Sequence, residues 1–168
     1  YLHNKFNLSK RFSVTAGVRA EWFEYERDIR RGQYDGQIRD TSLITSTGLT
    51  EIIPGAGFNF QLTPQSTLFG GLHRGFAPPR IKDAISGEGE AYELDAELSW
   101  NYELGFRSQI NRGVRLEITG FYMDFSNQIL PVAEFAGGFG AGLINGGKTR
   151  HSGIEGAVNF NLGKWFDW

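Results

Sequence analysis

From Ser99 onward, Trp100, Tyr102, Leu104 and Phe106 fall on one set of alternate positions, and Asn101, Glu103, Gly105, Arg107 and Gln109 on the other. One apolar and one polar face with a period of two is the pattern of a β-strand. The same alternation recurs along the chain. Phe12, Val14, Ala16, Val18, Ala20 and Trp22 alternate with Ser13, Thr15, Gly17, Arg19 and Glu21, and Ala56, Phe58, Phe60 and Leu62 with Gly57, Asn59 and Gln61. Leu68, Gly70 and Leu72 share a face with Phe69, His73 and Gly75 opposite. Val114, Leu116, Ile118, Gly120 and Tyr122 alternate with Arg115, Glu117 and Thr119, and Ile154, Gly156, Val158, Phe160 and Leu162 with Gly153, Glu155, Ala157, Asn159 and Asn161. With residues 2 to 7, this predicts about seven antiparallel strands, and an eighth begins near Lys164.

The connections alternate too. Short polar turns near residues 9, 64, 112 and 163 trade places with long excursions near 39, 88 and 137. The first excursion starts where the apolar band ends at Trp22 and the chain turns to Glu24-Tyr25-Glu26-Arg27-Asp28-Ile29-Arg30-Arg31, a strand running on into a long loop. An outer-membrane barrel keeps short turns on one rim and long loops on the other, whereas a Greek-key sandwich has no reason to. The fold class expected is therefore all-β, antiparallel and up-and-down: transmembrane barrel strands, seven to eight of a larger barrel. Trp22, Tyr25, Tyr92, Trp100, Tyr102, Tyr122 and Trp165 then suit either ordinary strand packing or a membrane-interface belt.

Composition adjusts this picture little. Gly 23, 14 % aromatics and one Met suit strands better than helices, and no apolar run approaches a membrane helix at a mean hydropathy of −0.33. A net charge of −2 leaves no basic footprint for nucleic acid. Without Cys, a disulfide framework and a thiolate zinc site are excluded. The start at Tyr1-Leu2-His3-Asn4, with no signal peptide, and the end at Trp165-Phe166-Asp167-Trp168 read as cuts within a longer polypeptide.

Five segments carry a family resemblance: Pro54 to Pro64, Thr67 to Arg80, Leu98 to Arg107, Ile118 to Ile129 and Asn145 to Gly156. In that order they resemble the barrel of TonB-dependent outer-membrane receptors, with Gly75, Phe76, Pro78, Pro79, Asn101, Glu103, Gly105 and Arg107 as the residues of the pattern. Ala77-Pro-Pro-Arg-Ile-Lys-Asp-Ala-Ile and Asn145-Gly-Gly-Lys-Thr resemble the ferric-dicitrate branch. The resemblance implies energised uptake of a ferric chelate, a siderophore or citrate, across the outer membrane of a Gram-negative cell. Such receptors have about 22 strands and a plugged lumen. The whole chain, 1–168, is then barrel domain. The plug that contacts the TonB energy-transducing complex lies outside it, and outer-membrane lipid covers its outside. No cofactor is expected.

A ferric carboxylate or hydroxamate chelate needs cationic donors, and Arg binds carboxylate in a bidentate way. The candidates in the excursions are Arg27, Arg30, Arg31, Arg39, Arg80 and Lys82, with Lys148, Arg150 and His151 where the last strand starts. Arg80 and Lys82 stand out because Pro78 and Pro79 stiffen the chain just before them. The plain alternative for each is a solvated side chain or a lipopolysaccharide contact. His73, Arg107 and Arg115 fall on the polar, lumen-facing set. Arg19, Glu21, Glu103, Arg107, Arg115, Glu117 and Glu155 give that face mixed charge, suited to cross-strand pairing and to contact with a plug.

Enzyme chemistry finds no support. His151 and Ser152 point to opposite sides of a strand, no Gly-x-Ser-x-Gly exists, and Gly146-Gly147-Lys148-Thr149 lacks the phosphate-loop spacing and reads as a loop-to-strand junction. A lone His is no metal site, and no His/Cys cluster is spaced for one. The competing readings are a passive porin-like channel, a surface adhesin or outer-membrane enzyme, and a soluble β-protein.

Overall fold

Seven strands form one antiparallel sheet in strict sequence order: β1 (Leu2–Asn7), β2 (Phe12–Tyr34), β3 (Gln37–Thr63), β4 (Ser66–Ala77), β5 (Glu97–Gln109), β6 (Val114–Pro131) and β7 (Leu143–Phe160). The computed structural model describes residues 1–34, 37–85, 89, 91, 94–134, 142–161 and 163, with backbone alone at 32–34, 39, 41 and 82. Helical structure among these is one turn, α1 (Ile81–Ala84), and a 3₁₀ turn at Val132–Glu134. No described helix is long and apolar enough to cross a membrane. Tyr92, Leu162, Trp165 and the expected eighth strand lie outside the described residues.

The register places the two sets of alternate positions on two faces. Phe12, Phe60, Leu68, Phe106, Ile118 and Gly156 pair in one row across six strands, and Ser13, Asn59, Phe69, Gly105, Thr119 and Glu155 in the next. The apolar face is bare: Trp22 is 76 % exposed, Leu104 56 % and Ile154 81 %. In water such a sheet would lose the main driving force for folding, whereas a lipid phase accepts that face unchanged. Tyr102 and Tyr122, ring centroids 6.0 Å apart, close the band at its upper end level with Ser152.

Side chains close the short turns on themselves. The Ser9 hydroxyl accepts from the amides of Arg11 and Phe12 at 3.2 and 3.0 Å, and Asn111 Oδ1 accepts from the Gly113 amide at 2.8 Å. Asn, Ser and Gly take these roles because short side chains can mimic the missing backbone partner.

The long rim departs from the sequence reading at two places. The excursion expected around residue 39 is mostly strand: β2 runs to Tyr34, β3 starts at Gln37, and Ile29 pairs with Leu43 and Arg31 with Asp40. Arg30, Arg31 and Arg39 therefore stand on a long hairpin and not in a loop. Thr, Ser and Ile at 38–50 support β-structure without an apolar face, because cross-strand backbone pairing continues wherever two chains stay in register. Likewise β7 begins at Leu143, so Gly146-Gly147-Lys148-Thr149 lies within a strand and not at its start. A bulge on β6 around Ser126–Gln128, with Asn127 at φ 55°, absorbs the mismatch.

Candidate functional site: the inner wall and its folded rim

On the polar face the sheet reads as a wall with few long side chains at its centre. Gly75 faces Ser99, and a Cβ there would fall within 2.9 Å of the Asn101 amide and closer still to the Ser99 hydroxyl. The two side chains fill that space: Asn101 Nδ2 donates to Ser99 Oγ at 3.1 Å, and both residues are buried. Gly105 serves Phe69 in the same way, since the ring lies directly over it. Arg107 then caps that ring at 4.8 Å and reaches Glu117 at 3.1 Å. The residues of the family pattern thus have local reasons: small residues where a neighbour's side chain crosses the strand, and a cation over the aromatic face.

Glu103 and Glu155 stand with Phe121 in an open cavity of about 300 Å³, and neither forms an ion pair among the described residues. Arg19 pairs with Glu21 on the same face. Arg115 lies opposite Gln109 and Asn159 close to the short-turn rim, and His73 opposite Gly55 and Asn101.

Above the lipid band the excursion after β4 folds back onto the inner side of the β2–β3 hairpin. Three side chains of that hairpin hold its backbone: Tyr25 Oη donates to Pro79 O at 2.9 Å, Arg27 Nη1 to Ile85 O at 2.6 Å, and Thr45 Oγ1 to Gly89 O at 2.8 Å. Ile85 is fully buried, Ala84 and Ile29 nearly so, and Gly89, at φ +87°, sits tightly against Leu43. Phe76 packs on Phe23 at 5.5 Å, with Phe23 stacked on Tyr25. Desolvation in this packing raises the Tyr25 phenol above its ordinary value of 10.0. Ile85 bridges to Ala91, which turns the chain back toward β5.

The return is pinned by one amide. Asn145 Oδ1 accepts from Asp95 N at 2.8 Å while its Nδ2 donates to Asp95 O and to Asn127 O, both at 2.9 Å. Glu97 Oε1 accepts from Ile129 N at 2.9 Å beside it. Residue-type reasoning had no means of finding Asn145, Tyr25, Arg27 or Thr45 as anchors, because each acts on backbone groups 18 to 58 residues away.

The cations expected to meet a ligand are distributed unevenly. Arg80 pairs with Asp83 at 2.8 Å across α1, Arg30 with Asp28 at 3.0 Å and Arg31 with Asp40 at 3.1 Å; all three remain mostly exposed. Among the described residues each guanidinium spends one donor on that carboxylate. Arg150 turns to Asp124 at 3.2 Å on the outward face, next to the lipid band, and so away from the lumen side. The side chains of Arg39 and Lys82 lie outside the described residues. Among the described residues no group of three or more His, Cys, Asp or Glu gathers for a metal.

A sheet with a lipid-compatible face, a polar face, tight turns on one rim and tall folded excursions on the other is the wall of an outer-membrane β-barrel. The family model "TonB dependent receptor-like, beta-barrel" matches residues 1–168, and the chain belongs to that family. Solved structures agree in fold. The ferric yersiniabactin uptake receptor FyuA from Yersinia pestis superposes with a TM-score of 0.73 at 21 % identity, over 94 % of this chain and 23 % of that one. The ferric-catecholate import receptor Fiu from E. coli K12 gives 0.68 at 17 %, over 93 % and 24 %. The Serratia marcescens hemophore receptor HasR, in complex with its hemophore HasA and heme, gives 0.59 at 17 %, over 91 % and 30 %. The chain spans about a quarter of the length of these structures. No curated protein matches it in sequence.

Proposed function

We propose that this sheet is part of the barrel wall of an outer-membrane receptor that takes up a ferric chelate, with ferric citrate or a siderophore as cargo, energised by the TonB complex through a plug domain carried elsewhere in the polypeptide. The observation that supports it most is the family match over the whole chain, joined to a fold shared with receptor structures of which the chain spans about a quarter. The sheet order leaves β1 and β7 unpaired with one another, as strands interior to a wider barrel would be. Glu103 and Glu155 face the lumen side as acceptors for a plug. Arg80 and Lys82 head the excursion that folds over the mouth, where a carboxylate-rich chelate arrives first.

Uptake of radioactive iron by cells producing the whole receptor tests this. Accumulation from ferric citrate or a ferric siderophore, abolished when the inner-membrane partner is deleted, is the expected result. Accumulation that persists without the partner identifies a passive porin-like channel and overturns the receptor reading. Replacing Arg80 and Lys82 together by Ala is expected to weaken chelate binding while the protein stays in the membrane; unchanged binding removes both residues from the site.

A further inference from the structure

All three histidines of the chain and its only methionine lie in one row across the inner face. The register runs His3, Gly17, Gly55, His73, Asn101, Met123, His151, one residue per strand from β1 to β7. The histidines are three strands apart, roughly 14 Å at the usual spacing, so they cannot share an ion. Their neighbours in the row differ. His3 and His73 stand beside glycines, and the Asn101 amide on the far side of His73 is committed to Ser99. His151 alone has a residue with a second soft donor as its cross-strand partner, Met123.

We infer that Met123 and His151 form a two-donor seat for a soft monovalent d¹⁰ cation, Cu(I). Cross-strand partners hold their Cβ atoms roughly 4.5–5.5 Å apart, a span that one imidazole and one thioether can bridge through a shared ion. Thioether with imidazole is a donor set that favours Cu(I) over hard cations. Aromatic rings stand on both sides of the pair. Phe125 meets the His151 ring edge-on at 5.4 Å, and the Thr149 hydroxyl lies 3.3 Å from His151 Nε2, where it can fix the ring. Phe121 closes the other side: its ring lies over Gly153, where a Cβ would come within 2.7 Å. The seat takes Cu(I) as supplied, so no electron transfer is involved.

Ag(I), which shares the d¹⁰ configuration and does not change oxidation state, is the probe. The protein in detergent, in chloride-free buffer, is titrated with Ag(I) by calorimetry while the His151 imidazole is followed by NMR. One Ag(I) per chain, with the His151 resonances shifting and those of His3 and His73 still, is expected. Met123→Leu, which keeps the side-chain volume, and His151→Ala each abolish that binding, and His73→Ala leaves it intact. Binding that survives Met123→Leu, moves His73 instead, or is absent from the parent protein overturns the seat. Neither readout depends on transport, so the iron-uptake reading stands or falls separately.

Discussion

At the scale of single residues, the inner wall is governed by what glycine leaves out. Replacing Gly105 by Val drives a side chain into the Phe69 ring and displaces the Arg107 guanidinium above it. A destabilisation of about 1–3 kcal/mol is expected, seen as a lower midpoint in denaturant unfolding from detergent. A wild-type midpoint would mean that Phe69 does not lie over the strand. Tyr25 sits at the other extreme, a single phenol holding an excursion. Its proton is needed for the bond to Pro79 O, and burial raises its ionisation above 10.0. Because the folded value exceeds the unfolded one, this contribution is complete below pH 10.0 and is lost as pH rises through the folded value. An ultraviolet titration should therefore show a late phenol that disappears in Tyr25→Phe. A titration left unchanged by that substitution would contradict the docking.

Elements carry two further consequences. Each strand separates an outward set from an inward set, so adjacent positions differ in their tolerance of charge. Leu104→Arg on the outward face is expected to cost about 2–4 kcal/mol, whereas Glu103→Gln one residue earlier leaves assembly into lipid unchanged. Folding yields into lipid vesicles, read by electrophoretic mobility before and after heating, distinguish the two. The excursions depend on polar anchors more than on apolar packing. Asn145→Ala leaves the Asp95 amide and two carbonyls without partners at one stroke and should release the segment before β5, for about 1–3 kcal/mol of local stability. Faster hydrogen exchange at Asp95 and Ile129, with β1–β4 unaffected, is the expected readout.

For the whole molecule, an exposed apolar sheet face stands where a soluble protein would have a hydrophobic core. The described buried apolar residues are few and collect mainly where the rim folds over, around Ile29, Ala84 and Ile85. The apolar band itself is exposed, as a face meant for lipid would be in its absence. The protein should therefore remain monodisperse only with detergent or lipid present. Loss of that requirement in sedimentation would favour a soluble β-protein and undo the membrane assignment.

Much of this architecture was legible in the alternation of apolar and polar positions, because a period of two sets the face of every side chain once a strand exists. The two faces of each strand follow from Trp100 to Gln109 and its repeats, and the contrast between the two rims follows from the alternation of short and long connections. Strand length beyond the apolar band did not follow, because the β2–β3 hairpin past Trp22 is held by backbone pairing, to which residues as different as Glu26 and Ser46 contribute equally. Nor did the fold of the rim, since Tyr25, Arg27, Thr45 and Asn145 bind carbonyls and amides that every residue possesses. Register, which exists only between strands, brought Met123 beside His151 and spread the three histidines evenly along one row. The sequence by itself determined which side of the wall each residue faces, because that is a local property of the pleat. Only the tertiary structure decided which residues meet across it, because that depends on how far each strand slides against the next.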